Sequence, residues 1–105
     1  MDRVPDVELR NALANSLRDW TLKDNLLERR FEFKSFKLAM DFVNKVACVA
    51  EEANHHPDIA VNYNRVTMQL TSHDSGGITR RDLSMAGKID EIAPELLNPS
   101  RLRSA

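Results

Sequence analysis

Apolar residues recur along this chain with two alternating periods, and the switches between them mark out seven expected elements. From Asp6 to Leu17, the residues Leu9, Leu13 and Leu17 stand four apart, the spacing of one face of an amphipathic helix. Pro5 suits its start. Trp20 and Leu22 form a short run expected as a strand, and the polar Lys23-Asp24-Asn25 reads as a turn. Phe31 and Phe33 alternate with Arg30, Glu32 and Lys34, the period of two of a half-buried strand. The segment from Ser35 to about Ala53 is the clearest helix. Ser35 can cap it, and Phe36, Ala39, Met40, Val43, Val46, Ala47 and Ala50 form one face. Phe42 and Val49 widen that face. So broad an apolar surface is expected to bury two sides, one against a sheet and the other against a partner chain.

Ile59-Ala60-Val61-Asn62-Tyr63 is the next expected strand, with a turn through Asn64-Arg65. Val66, Met68 and Leu70 then alternate with Thr67, Gln69 and Thr71, the cleanest strand signature here, until Ser75-Gly76-Gly77 breaks it. Thr79 opens a last helix with Leu83, Ala86, Ile89, Ile92 and Ala93 inward, and Pro94 stops it near Ala93. The tail from Pro99 to Ala105 is expected to fray. Strands with one apolar and one polar face, alternating with helices in this order, give an α+β fold: an antiparallel sheet covered by helices on one face. The polar sheet face has no expected cover.

At 105 residues the chain is read as one domain, 1–105. Its formal charge of −1 offers no basic field, so a nucleic-acid partner is not expected. The local clusters Arg29-Arg30, Arg80-Arg81 and Arg101/Arg103 read as solvated surface. A single cysteine, Cys48, excludes an intrachain disulfide and a cysteine-based zinc finger. It lies in an apolar helical run, and a buried inert thiol is the expectation. The first residues lack a signal-peptide pattern, and no apolar stretch is long enough to span a bilayer, so a cytoplasmic protein is expected.

The candidate chemistry lies in histidines. His55 and His56 are adjacent and followed by Pro57, and His73 sits in the loop Thr71–Gly77; the chain has no others. Each falls where an element ends, and imidazole is the side chain whose ordinary proton affinity lies near neutral pH. Glu51 precedes His55 by four residues and would share its helix face if the helix ran that far, fixing the ring's tautomer. Thr79-x-x-Asp82 is close to a capping box; Asp82 is expected to cap its helix and could still face a pocket. Three histidines can hold zinc, but adjacent ones converge poorly on one ion and no His-x-x-x-His spacing is present, so neither metal nor cofactor is expected. Gly76-Gly77 matches no phosphate loop, and contiguous Ser72-His73-Asp74 cannot be a triad whose members converge from a distance.

The run Glu51-Glu52-Ala53-Asn54-His55-His56-Pro57-Asp58, then Tyr63-Asn64-Arg65-Val66, then Thr71-Ser72-His73-Asp74 with Gly77-Ile78-Thr79 and Asp82, resembles the pterin-4a-carbinolamine dehydratase family. The resemblance extends from about Trp20 to Ala93. It implies a four-stranded antiparallel sheet with three helices on one face, and a homodimer or homotetramer assembled through the second helix. The implied reaction is loss of water from a 4a-hydroxytetrahydropterin to give the quinonoid dihydropterin, in tetrahydrobiopterin recycling behind an aromatic amino acid hydroxylase. The site it implies is His55, His56 and His73, with His55 and His73 in proton transfer and His56 in pterin binding. Glu51 would orient His55, and Pro57, Arg81 and Asp82 would line the pocket. Asn54 stands where an acidic residue is common in the family, Ser72 where threonine is common, and Ile59 where some members have tryptophan. Other readings stay open. One is an interaction module of the transcription-factor dimerisation type, with a nuclear location. Others are a dehydratase-like protein of another pterin pathway and a metal-dependent hydrolase.

Overall fold

A computed structural model describes residues 2–97, so the tail expected to fray and Arg101/Arg103 lie outside the described residues. The elements run α1 (Asp6–Ala14), β1 (Thr21–Lys23), β2 (Leu26–Glu32), α2 (Phe36–Ala53), β3 (Asp58–Asn62), β4 (Arg65–Leu70) and α3 (Arg80–Ile92), with 3-10 turns at His73–Ser75 and Ala93–Glu95. The strands form one antiparallel sheet in the order β1-β2-β4-β3. The fold is therefore the α+β sheet-and-helix arrangement expected.

Period two sorts the sheet into a dry face and a wet one. Leu27 and Phe31 of β2 and Val66, Met68 and Leu70 of β4 are buried with Ala39, Phe42, Val46 and Ala50 of α2 and Met85, Ala86 and Ile89 of α3. Phe42 joins the layers: its ring centroid lies 4.7 Å from that of Phe31 and 4.9 Å from that of Phe33. Its complete burial stabilises the domain by about 2–3 kcal/mol in transfer terms. The opposite sheet face stays open and carries Thr21, Glu28, Gln69 and Asp58 in one cross-strand row. There Glu28 accepts from Gln69 and pairs with Lys23 at 3.1 Å, and these two contacts hold its carboxyl below the usual range.

Four expectations need correction. α1 stops at Ala14, short of Leu17, because the Asn15 side chain turns back to donate to the Asn11 carbonyl; Leu17 enters the core from the following turn. The β3–β4 turn is centred one residue earlier than expected, on Tyr63 and Asn64. Tyr63 takes a positive φ of 56°, and Asn64 is bonded both ways to the Phe33 backbone. Cys48 is exposed, because the buried stripe of α2 is centred on Ala39, Phe42, Val46 and Ala50 and leaves residue 48 outside it. Arg29 is not surface. It shares the dry face with Leu27 and Phe31, where it lies 4.4 Å over the Phe31 ring and donates to Asp90 of α3 at 2.6 Å. Trp20 Nε1 donates to the same carboxylate oxygen at 2.9 Å. Burial pushes the Asp90 carboxyl up, against the lowering effect of Trp20 and Arg29.

α2 does show the second apolar side. Phe36 is 50% exposed, and Met40 and Val43 are half-buried. β3 beside it is an edge strand, exposed throughout, whose Ile59 and Val61 pair with Met68 and Val66 and so point to the same side of the sheet as the core.

Candidate active site

Two chain reversals bring the site together. α2 ends at Ala53, where Asn54 adopts the left-handed conformation (φ 51°, ψ 43°) and its N–H closes onto the Ala50 and Glu51 carbonyls. Asparagine tolerates that region better than most residues with a Cβ. The reversal removes His55 from the helix and turns it inward, where it is only 8% exposed. Pro57, also buried, then starts the chain toward β3. At the far end of β4, Ser72 and Gly77 bridge the loop that carries His73.

Asp82 is the hub. It sits fully buried in the first turn of α3 and completes a capping box with Thr79. One carboxylate oxygen, Oδ2, accepts from the Thr79 N–H at 2.9 Å and from the Ser72 hydroxyl at 2.8 Å. The other, Oδ1, lies 2.6 Å from His55 Nε2. Asp82 thus caps the helix with one oxygen and meets the histidine with the other. With that oxygen accepting, the His55 proton is assigned to Nε2, and Nδ1 is the ring's basic nitrogen. No hydrogen bond to Nδ1 is made among the described residues.

Glu51 does not reach His55. Because α2 ends before residue 55, the shared-face geometry never forms, and Glu51 Oε2 instead lies 2.5 Å from His56 Nε2 in an exposed pair. His73 is exposed on its 3-10 turn, one residue beyond the Ser72 that bonds to Asp82. Arg81 donates from Nη2 to the Asn54 carbonyl at 3.1 Å, tying α3 to the α2 reversal. So His55 and Asp82 are in direct contact, His56 and Glu51 form a separate exposed pair, and His73 has no side-chain hydrogen bond to either among the described residues, being linked only as the chain neighbour of Ser72. Ser72 meets the Asp82 carboxylate without any sign in the sequence, since a hydroxyl next to a histidine does not announce a partner ten positions away.

A cleft of about 260 Å³ opens beside His55, between the end of α2 and the exposed side of α3. A larger one, of about 600 Å³, lies between Arg3, Asp6, Asp24 and Ile78 and holds none of the three histidines, so volume alone does not mark the site. Among the described residues, no group of three or more His, Cys, Asp or Glu side chains is arranged to hold a metal ion, and no helix is long and apolar enough to cross a membrane.

A helix-backed antiparallel sheet with a buried histidine–carboxylate contact between the end of α2 and the first turn of α3 defines the class of domain. The family model for pterin 4 alpha carbinolamine dehydratase matches residues 2–92, and the chain belongs to that family. A Koribacter versatilis protein provisionally named a pterin-4-alpha-carbinolamine dehydratase is 58% identical over 91 residues, covering 87% of this chain and 96% of its own. A Sulfurisphaera tokodaii protein with the same provisional name is 47% identical over 92 residues, covering 88% and 98%. A Brucella melitensis crystal structure described as a transcriptional coactivator/pterin dehydratase superposes with a TM-score of 0.83 at 36% identity, covering 88% of this chain and 99% of that one. A pterin dehydratase-like protein described as a RuBisCO assembly factor in the alpha-carboxysome gives a TM-score of 0.60 at 25% identity, covering 71% and 87%.

Proposed function

We propose that this chain removes water from a 4a-hydroxytetrahydropterin, giving the quinonoid dihydropterin, by histidine acid–base catalysis in tetrahydrobiopterin recycling. Family membership supports a dehydratase of pterins. The observation that carries the acid–base reading is the buried His55–Asp82 contact, with His56 and His73 lying between those two residues in the sequence motif.

The reaction balances without an oxidant. The C4a–O bond breaks, the leaving hydroxyl takes a proton and departs as water, and the N5 proton is lost while its bonding pair forms the C4a–N5 double bond. Two groups near neutral proton affinity serve those two transfers. In this reading His55, oriented by Asp82, works from Nδ1, and the exposed His73 is its counterpart. His56, held by Glu51, binds the pterin, while Pro57 and Arg81 line the pocket. Stopped-flow spectroscopy of 4a-hydroxytetrahydropterin dehydration is the test, run on wild type, His56→Ala and His73→Ala. The expected result is a large rate loss in both variants with the fold intact; equal rates in all three would falsify the assignment.

Self-association through α2 belongs to the same proposal. Phe36 of α2, with Ile59 and Val61 of the β3 edge, makes an apolar surface that this chain does not cover. An unpaired edge strand beside an apolar helix face invites a second chain. Light scattering should give a dimer or tetramer for wild type, and Phe36→Glu should lower the mass. A monomeric wild type at micromolar concentration would overturn the assembly. That same surface supports an interaction role of the kind that the descriptions of the Brucella and carboxysome proteins name.

A further inference from the structure

We infer that the cleft beside His55 is an anion site, and that the pterin this chain prefers carries a phosphate or a carboxylate on its side chain. The inference rests on the dehydratase chemistry proposed above and revises its substrate: the dihydroxypropyl side chain of tetrahydrobiopterin is neutral, so an anion site moves the same dehydration to an acidic pterin.

The cleft is built on one stripe of α3. Arg80, Ser84 and Lys88 are four residues apart and line it together, with Arg81 of the same helix and Ala53 from the end of α2. Its inner wall is Met85 and His55, both buried. Three cationic side chains therefore surround a small cavity that shares a wall with the histidine held by Asp82. No aspartate or glutamate lines it.

The charges are unequally compensated. Arg80 gives Nη2 to Glu8 at 2.7 Å, so much of its charge is answered by α1. Arg81 is held by a neutral carbonyl, that of Asn54, which fixes the guanidinium and leaves its charge unbalanced. Lys88 is exposed and makes no ion pair among the described residues. A neutral side chain would gain nothing from two unbalanced cations, whereas an anion there removes their mutual repulsion and accepts hydrogen bonds from both. Ser84 adds a hydroxyl donor between them. At about 260 Å³ the cleft suits a substituent, since pockets for whole drug-sized ligands start near about 300 Å³.

The test compares three 4a-hydroxytetrahydropterins that differ only in side chain: a neutral polyol, a carboxylate and a phosphate ester. Wild type is expected to show kcat/KM about tenfold higher for an anionic substrate than for the neutral one at low salt, with the difference closing near 1 M salt. Lys88→Ala should lower kcat/KM for the anionic substrates roughly three- to tenfold, and Lys88→Glu should reverse the preference, while neither changes the neutral substrate. Whichever anion shows the larger Lys88-dependent gain identifies the group. A parallel fluorescence titration uses the three oxidised, unreactive pterins. Absence of turnover with all substrates, alongside Lys88-dependent binding of an anionic oxidised pterin, sinks the dehydratase reading and keeps the anion site. Equal kcat/KM and equal affinity for neutral and anionic forms sinks the anion site.

Discussion

His55 Nε2 and Asp82 Oδ1, 27 residues apart in the chain, meet at 2.6 Å inside the protein. The contact joins the reversal after α2 to the first turn of α3. It ties the placement of His55 to a helix cap, because Thr79 and Ser72 hold the carboxylate's other oxygen.

Asp82→Asn tests that coupling. An amide keeps one acceptor oxygen but presents hydrogens where the carboxylate accepted, so either the cap loses its acceptor or His55 takes the Nδ1-protonated tautomer to receive the amide N–H, which removes its basic Nδ1. Unfolding in urea should show a loss of about 2–4 kcal/mol. The dehydration rate should fall about 10²- to 10³-fold in the protein that remains folded. An unchanged rate would remove Asp82 from the mechanism.

The exposed histidines should behave differently from the buried one. His56→Ala and His73→Ala are expected to shift stability by less than about 0.5 kcal/mol, as surface changes do. Each should still cost about a hundredfold or more in kcat/KM. Glu51→Gln acts through a solvent-exposed pair, and a change of only about two- to fivefold is expected. A Glu51→Gln loss as deep as that of His56→Ala would mean the carboxylate touches substrate itself.

Asn54 offers a conformational test. Asn54→Gly should leave stability within about 0.5 kcal/mol of wild type, since glycine accepts a positive φ. Asn54→Val should cost about 1–2 kcal/mol or more and reduce activity, because a branched side chain resists the left-handed region that aims His55 inward. Equal denaturation midpoints for the two variants would show that the reversal is not what holds this joint.

Stability against pH should carry two opposite contributions. The Glu28 carboxyl is held below its ordinary value of 4.5, so its contribution is present above that value and is lost as pH falls through the lower folded value. Asp90 is pushed above its ordinary 3.8 by burial, so its contribution is present below 3.8 and is lost as pH rises through the higher folded value. Urea melts between about pH 3 and 7 should therefore show a shallower acid-side loss for Glu28→Gln than for wild type. Asp90→Asn should show a steeper rise with pH, whatever its net cost from leaving Arg29 unpaired. The same pH slope in both variants as in wild type would contradict both assignments.

Much of this was legible in local pattern. The alternation at Val66, Met68 and Leu70 located β4, and Ser35 located the start of α2, whose cap it makes by accepting from the Leu38 N–H. Thr79 and Asp82 advertised the capping box. Arg29 shows where pattern failed. It looks like surface beside Arg30, yet it occupies a core-facing position because Asp90, 61 positions away, supplies its partner, with Trp20 donating to the same carboxylate oxygen. Nothing within a local window carries that information.

The sequence by itself determined the element types, the two faces of the sheet and the family, because hydrophobic period, caps and short motifs act between residues close in the chain. Only the tertiary structure decided which carboxylate serves which histidine. Ending α2 at Asn54 rotated His55 away from Glu51 and into the buried carboxylate of Asp82. Pairing of that kind depends on the direction of side chains after a reversal, and a single residue in the left-handed region changes it without altering the periodicity on either side.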